Sequence, residues 1–166
     1  MDNNFNTIFC TKTLVWMTRA DITFLKDLRF WIALSAAPFF YLLYGLTFYE
    51  GEILSVSFID SYRQLLLLII IYPILEELVF RGFLQSIFHR LFGGFVFFFG
   101  LTLPNIITSV FFAFSHLINH DLIWSFAIFF PSLLFGYFRD KYDSTKPSII
   151  LHVSYNFGFY FLFLNA

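Results

Sequence analysis

Residues 63–84, RQLLLLIIIYPILEELVFRGFL, enclose Glu76, Glu77 and Arg81 in a stretch that is otherwise almost entirely apolar. A helix rises 1.5 Å per residue, so this stretch is long enough to cross a hydrocarbon layer of ~30 Å. A charge at membrane depth costs at least ~2.5 to 3.5 kcal/mol on insertion scales. The three residues are therefore predicted to face the interior of a helical bundle and are candidates for function.

The composition of the whole chain is that of a membrane-embedded protein. Of its 166 residues, 59% are hydrophobic, 24% are aromatic and only 13% are charged, which departs from globular averages in every respect. With a net charge of −1, the chain has no Lys/Arg face dense enough to bind nucleic acid. The single cysteine, Cys10, excludes an intrachain disulfide. Membrane lipid is the expected surrounding, and nucleic acid is not an expected partner.

Four more apolar windows accompany the first, at 30–49, 95–118, 122–138 and 147–164. They predict an all-α fold, a polytopic membrane bundle of about five transmembrane helices over residues 30–164, after an N-terminal cytoplasmic segment at 1–29. Pro104 should kink or interrupt its window, so residues 95–104 are either membrane-spanning or re-entrant. The polar stretch 139–146 is predicted to separate the last two helices.

The basic residues test this topology, because cytoplasmic loops are enriched in Lys and Arg. In the five-span arrangement one side carries Lys12, Arg19, Lys26, Arg29, Arg90, Arg139, Lys141 and Lys146. The opposite side carries Glu50, Glu52, Asp60 and Asp121, with Arg63 as its one basic residue. We therefore expect a cytoplasmic N-terminus and an external C-terminus. The expected location is the inner membrane of a prokaryotic cell.

The charged residues of the second window divide by their spacing. Residues four apart share a helix face, so Glu77 and Arg81 are expected to pair. Glu76 points ~100° away and is left to face a cavity, where a carboxylate can act as a general base. The alternative is a charge cluster near the membrane surface.

Two later windows carry imidazoles. Phe112 and His116 share one helix face, as do His152 and Asn156. Alone, His116 is typical of an interfacial group, and the His152–Asn156 pair equally fits hydrogen bonding between helices. Together with Glu76 they supply the parts of a site that activates water for hydrolysis.

Three motifs in these windows resemble those of the CPBP (CAAX protease and bacteriocin-processing, or Abi) family of intramembrane proteases. They are EELVFR at 76–81, FAFSH at 112–116 and HVSYN at 152–156. The resemblance covers about residues 65–164. The chain is short for the family and lacks helices found in CAAX proteases, which puts prenylated substrates in doubt.

The resemblance implies a role for each matching residue. Glu76 and His116 would activate and position water, His152 and Asn156 would stabilise the oxyanion, and Glu77 and Arg81 would hold the arrangement together. The implied substrate is a membrane-associated peptide or protein, cleaved at a C-terminal sorting tail, a CAAX-like end or a bacteriocin precursor.

Other chemistries remain open from the sequence. Glu76, His116 and His152 would give zinc three ligands, but the chain has no H-E-x-x-H helix, and we favour a mechanism without metal or other cofactor. A non-enzymatic bacteriocin-immunity or scaffold protein is an alternative, because fold does not fix function. A proton or ion transporter would show inverted repeats, and none is visible.

Overall fold

Five helices account for most of the residues that the computed structural model describes, which are 22–48 and 62–163. They are α1 (Leu28–Phe48), α2 (62–92), α3 (Leu103–His116), α4 (Leu122–Tyr142) and α5 (Lys146–Phe163). A single 3-10 turn, Thr23–Lys26, precedes α1. The predicted all-α class is confirmed, and within these ranges the only β pairing is an isolated bridge between Val96 and Thr102. The expectations for Cys10, Lys12, Arg19, Glu50, Glu52 and Asp60 lie outside the described residues.

Helix α2 is continuous but not uniform. Its α-helical parts are Tyr62–Leu66, Tyr72–Glu77 and Gln85–Phe92, and the two parts between them, Leu67–Ile71 and Leu78–Leu84, are π-helical. The N–H of Tyr72 accordingly donates to the carbonyl of Leu67, five residues back. Such wide turns occur frequently at functional sites. Here they bracket the α-helical part that ends in the paired glutamates.

The start of α3 corrects two expectations. Pro104 does not interrupt a helix but lies in the first turn of α3, where its missing N–H costs nothing. The hydroxyl of Thr102 caps this helix by accepting from the N–H of Asn105 at 3.1 Å. Of the window at 95–118, the part from Leu103 to His116 is α-helical, and a 3-10 turn at Phe98–Gly100 lies apart from it, so the window as a whole is not one helix.

The preceding residues, 93–102, form a compact loop. Phe97 donates from N–H to the carbonyl of Leu101 at 2.7 Å, and Leu103 donates to the carbonyl of Phe95 at 3.0 Å. Gly93 and Gly100 have φ values of 69° and 78°, which glycine adopts without steric cost. The large side chains of this loop are exposed.

The boundary at Arg139 is also corrected. Helix α4 continues through the predicted polar loop to Tyr142, and Arg139 is only 1% exposed. The guanidinium of Arg139 donates to Asp140 at 2.8 Å and to Ser86 Oγ at 2.6 Å. Asp140 also accepts from Gln85, His89 and Thr102. These partners offset the cost of burying charge, so the helix does not end where the apolar run does.

Helix α5 is the central element of the bundle and packs against α1, α2 and α4. Its Leu151 and Tyr155 join a buried cluster with Phe30, Phe135 and Phe138, and the hydroxyl of Tyr155 donates to the carbonyl of Ala33 on α1 at 2.8 Å. This packing places His152, one residue after Leu151, in the middle of the molecule.

Within the described ranges, one helix passes a test of length and apolar composition for crossing a membrane, and that is α4, Leu122–Tyr142. Leu28–Ala37 forms a shorter apolar segment. The predicted count of about five crossings is not confirmed by this criterion.

Candidate active site

Glu76, His116, His152 and Asn156 all line one cavity of about 420 Å³. Helix α2 contributes the first residue, α3 the second and α5 the other two. Aromatic side chains make up much of the remaining wall, which includes Tyr41, Tyr72, Phe112, Trp124, Phe135, Tyr155, Phe159 and Tyr160. The structure therefore brings together the four residues to which the motifs assign catalysis.

The deepest contact of the site joins Glu77 to His152. Nδ1 of His152 donates to Oε1 of Glu77 at 3.0 Å, and the Glu77 side chain is fully buried. The other carboxylate oxygen lies 3.3 Å from Nε of Arg81, as the four-residue spacing predicts. Glu77 thus fixes the orientation of the imidazole ring, a contact that the sequence analysis did not anticipate.

Arg81 anchors this charge pair to α4. Its Nη2 donates to the carbonyl of Ser132 at 3.0 Å and to the Ser132 hydroxyl at 2.7 Å. The guanidinium also lies 5.0 Å from the centre of the Phe112 ring, a distance at which cation and ring attract. A buried guanidinium requires such partners, and their positions connect α2, α3 and α4.

Glu76 faces the opposite edge of the His152 ring. Its Oε2 lies 3.7 Å from Nε2 of His152, so the imidazole lies between two carboxylates. The Glu76 side chain is 34% exposed whereas that of Glu77 is 0% exposed. The two adjacent glutamates are therefore in different environments, since Glu77 is enclosed by protein and Glu76 meets the cavity.

The ring of His152 is further held by aromatic neighbours. It stacks on Phe135 at a centroid distance of 5.1 Å and meets the Phe112 ring edge-on at 5.6 Å. Phe112 also contacts the ring of His116 at 4.7 Å. The phenylalanine of the second motif consequently touches both imidazoles.

The hydrogen bond of His116 fixes which ring nitrogen carries a proton. Nδ1 lies 2.8 Å from the carbonyl of Phe112. A carbonyl can only accept, so Nδ1 is the donor. In the neutral ring, Nε2 is then unprotonated and can accept a hydrogen bond from water.

Asn156 reaches across to α2, where its Nδ2 donates to the carbonyl of Leu68 at 2.9 Å. That carbonyl has no ordinary helical partner, because the N–H of Tyr72 bonds to Leu67 and Pro73 has no N–H to offer. Asn156 thus satisfies a carbonyl exposed by a π turn. Its amide retains a second N–H for another acceptor.

Several contributors carry no recognisable signal in the sequence. Ser132 and Phe135 lie in an apolar stretch of α4, and neither belongs to a motif. His120 also lines the cavity and stacks on His116 at a centroid distance of 6.1 Å. The four-residue spacing from His116 was the one available indication of its position.

The sequence also leaves open a zinc site at Glu76, His116 and His152. In the part of the chain that the structure describes, no three His, Cys, Asp or Glu side chains are placed to hold one ion. No step of the mechanism proposed here involves a metal.

The protein is thus a helical bundle in which carboxylate and imidazole side chains line a shared polar cavity. Residues 58–158 match the family described as type II CAAX prenyl endopeptidase Rce1-like. The chain belongs to this family of membrane-embedded proteases, which is part of the CPBP family that the motifs resemble. The match includes every cavity residue assigned above to catalysis. No curated protein and no solved structure matches the chain.

Proposed function

We propose that this protein is an intramembrane endopeptidase in which Glu76 and His116 activate water. The observation that carries the proposal is the shared cavity, in which Glu76 and His116 accompany His152 and Asn156. A carboxylate with access to the cavity supplies a general base. The aromatic wall limits the amount of water around it and thereby strengthens electrostatic interactions inside.

The chemistry begins with a water molecule between Glu76 and His116. Nε2 of His116 accepts one hydrogen bond and orients the water, and Glu76 takes its proton as the oxygen attacks the peptide carbonyl. Glu76 then returns that proton to the leaving amine as the carbon–nitrogen bond breaks. These reaction steps require no protein group beyond those in the cavity.

The oxyanion that forms needs donors already in position. Nδ1 of His152 is committed to Glu77, so Nε2 donates only when the ring carries both protons and faces the oxyanion as a cation. The second N–H of Asn156, beside the one given to Leu68, supplies another donor. Glu77 and Arg81 position these groups and do not touch substrate.

The membrane arrangement that we propose has about five crossings with a cytoplasmic N-terminus, in the inner membrane of a prokaryotic cell. Its support is the distribution of basic residues, among them Arg29, Arg90 and Lys141 on one side and Arg63 on the other. Substrates would be membrane-associated peptides or proteins. A cavity of about 420 Å³ admits a short extended segment rather than a folded domain, which favours sorting tails, CAAX-like ends or bacteriocin precursors.

The test incubates purified full-length protein, reconstituted in lipid vesicles, with membranes that supply candidate protein and peptide substrates. It then compares the peptides that are produced. New peptide termini, identified by mass spectrometry, should appear with the wild type and disappear with Glu76→Gln and with His116→Ala. Asp143→Asn is the matched control, because Asp143 is exposed with a φ of 49°, a conformation that asparagine tolerates.

Two outcomes would reject the mechanism. Undiminished cleavage by Glu76→Gln would show that Glu76 is not the general base. Cleavage that is lost with a chelator and restored by zinc would show that the reaction requires a metal. If no product appears but the protein protects cells from a bacteriocin, and Glu76→Gln protects equally, the chain acts as a non-enzymatic immunity protein.

A further inference from the structure

A second concave region lies on the outside of the bundle, between the start of α1, the loop 93–102 and the second half of α4. This groove has a volume of about 380 Å³, and its lining includes Arg29, Phe99, Leu101, Phe130, Leu133 and Tyr137. It shares no lining residue with the catalytic cavity. One end is polar and the remainder is apolar.

The polar end carries net positive charge. Nη1 of Arg29 donates to the hydroxyl of Tyr137 at 3.4 Å, and the ammonium of Lys141 lies 5.9 Å from the centre of the same ring. Asp27 pairs with Lys141 and balances that one charge. The exposed guanidinium of Arg29 retains donors for an additional anionic group.

The apolar end extends along α4. Phe130 precedes Tyr137 by seven residues, or roughly 10 Å of helix, and Phe99 and Leu101 form the facing wall. The Phe99 side chain is 95% exposed and Phe130 is 58% exposed. In a protein of a membrane-embedded family, apolar surface of this kind is covered by lipid chains.

The loop that forms the facing wall has a defined structure. Phe99 has a φ of 60°, a conformation that is unfavourable for a residue with a side chain. A Cβ on Gly100 would lie 3.1 Å from Cε2 of Tyr137, so the loop tip fits closely against α4. The backbone hydrogen bonds from Phe97 to Leu101 and from Leu103 to Phe95 reduce the cost of contact with lipid.

We propose that this groove binds one anionic phospholipid of the bilayer, with Arg29 at the headgroup phosphate and an acyl chain along Phe99, Phe130 and Leu133. A guanidinium suits phosphate because of its planar set of donors, and basic residues at a membrane surface favour anionic lipids. The inference rests on the membrane location of the family and not on proteolysis.

The test uses purified full-length protein in detergent with phosphatidylglycerol or phosphatidylcholine added, and it measures retained lipid by native mass spectrometry and stabilisation by thermal unfolding. One phosphatidylglycerol should be retained and should raise the unfolding midpoint. Arg29→Gln should weaken this binding about fivefold. Phe99→Gly should also weaken it, and since glycine relieves the positive φ, the loss is not explained by a misfolded loop.

Matched controls are Arg63→Gln, an exposed arginine on α2, and Arg90→Gln, on the same predicted side of the membrane but outside the groove. Neither should change lipid binding. Equal weakening by all three arginine variants would overturn the proposal in favour of diffuse charge attraction. Equal retention of phosphatidylcholine, or equal stabilisation by glycerol phosphate without acyl chains, would also overturn it.

Discussion

His152 donates from Nδ1 to a Glu77 carboxylate that is wholly enclosed by protein, at 3.0 Å. The same carboxylate faces Arg81, so one buried acid serves both a cavity histidine and a structural cation. Its neighbour in sequence, Glu76, lies on the other side of the imidazole. We therefore predict separable effects of substituting the two adjacent glutamates, on stability for Glu77 and on cleavage for Glu76.

We predict that Glu77→Gln lowers the free energy of unfolding by about 3 kcal/mol or more, because it leaves the fully buried Arg81 without its counter-charge. Glu76→Gln should change stability by less than about 1 kcal/mol, since Glu76 is partly exposed to the cavity. Thermal unfolding of both variants in the same detergent checks this, and equal stabilities would contradict the assigned division.

Gly136 lies at a close contact between α3 and α4. A Cβ there would lie 1.8 Å from Oδ1 of Asn105, so Gly136→Ala should destabilise the protein by about 1 to 3 kcal/mol. Gly82→Ala is the matched control, because its Cβ would meet nothing nearer than 3.6 Å. Helix propensity favours alanine there by up to ~1 kcal/mol. If Gly136→Ala were as stable as Gly82→Ala, the side chain of Asn105 would have to move aside to accommodate the added methyl group.

Asp140 should be essential to the stability of the end of the bundle remote from the cavity. It accepts hydrogen bonds from Gln85, His89, Thr102 and Arg139. Asp140→Asn removes the charge that compensates Arg139, and we expect a loss of about 3 kcal/mol or more in the free energy of unfolding. Asp121→Asn, which preserves the cap on Trp124, should cost under about 0.5 kcal/mol by the same measurement.

Asp27 predicts a pH dependence. Hydrogen bonds from Lys141 and Tyr142 hold the pKa of Asp27 at about 2, below its ordinary 3.8. The stabilisation is therefore present above pH 3.8 and declines as the pH falls through about 2. Between pH 5 and pH 2 the unfolding midpoint of the wild type should fall further than that of Asp27→Asn. Parallel decreases in the two proteins would contradict the contact.

The sequence predicted the all-α class and the pairing of Glu77 with Arg81, because a hydrophobic run and a four-residue spacing are local properties. It also placed Glu76, His116, His152 and Asn156 in one pocket, since charged and polar groups in apolar helices must face inward. Their catalytic roles remain predictions.

The contacts that the sequence did not reveal depend on tertiary structure. From the sequence, Arg139 and Asp140 were predicted to lie in a loop. In the structure they are helical, because residues on α2 and at the start of α3 supply their hydrogen-bond partners. Residues 95–102 are as apolar as the predicted transmembrane helices, but the glycines at 93 and 100 favour a turn there instead. The Glu77–His152 contact joins residues 75 apart in sequence, and no spacing rule covers that separation.

The wide turns of α2 bear on any attempt to transplant this site. Leu68, Tyr72 and Glu76 all line the cavity, at intervals of four residues. On an ideal α-helix each such interval advances ~40° beyond a full rotation, so the first and third would diverge by ~80°. On a regular helical scaffold the N–H of Tyr72 would instead bond to the carbonyl of Leu68. A designer who grafted these side chains there would deprive Asn156 of the acceptor it now has.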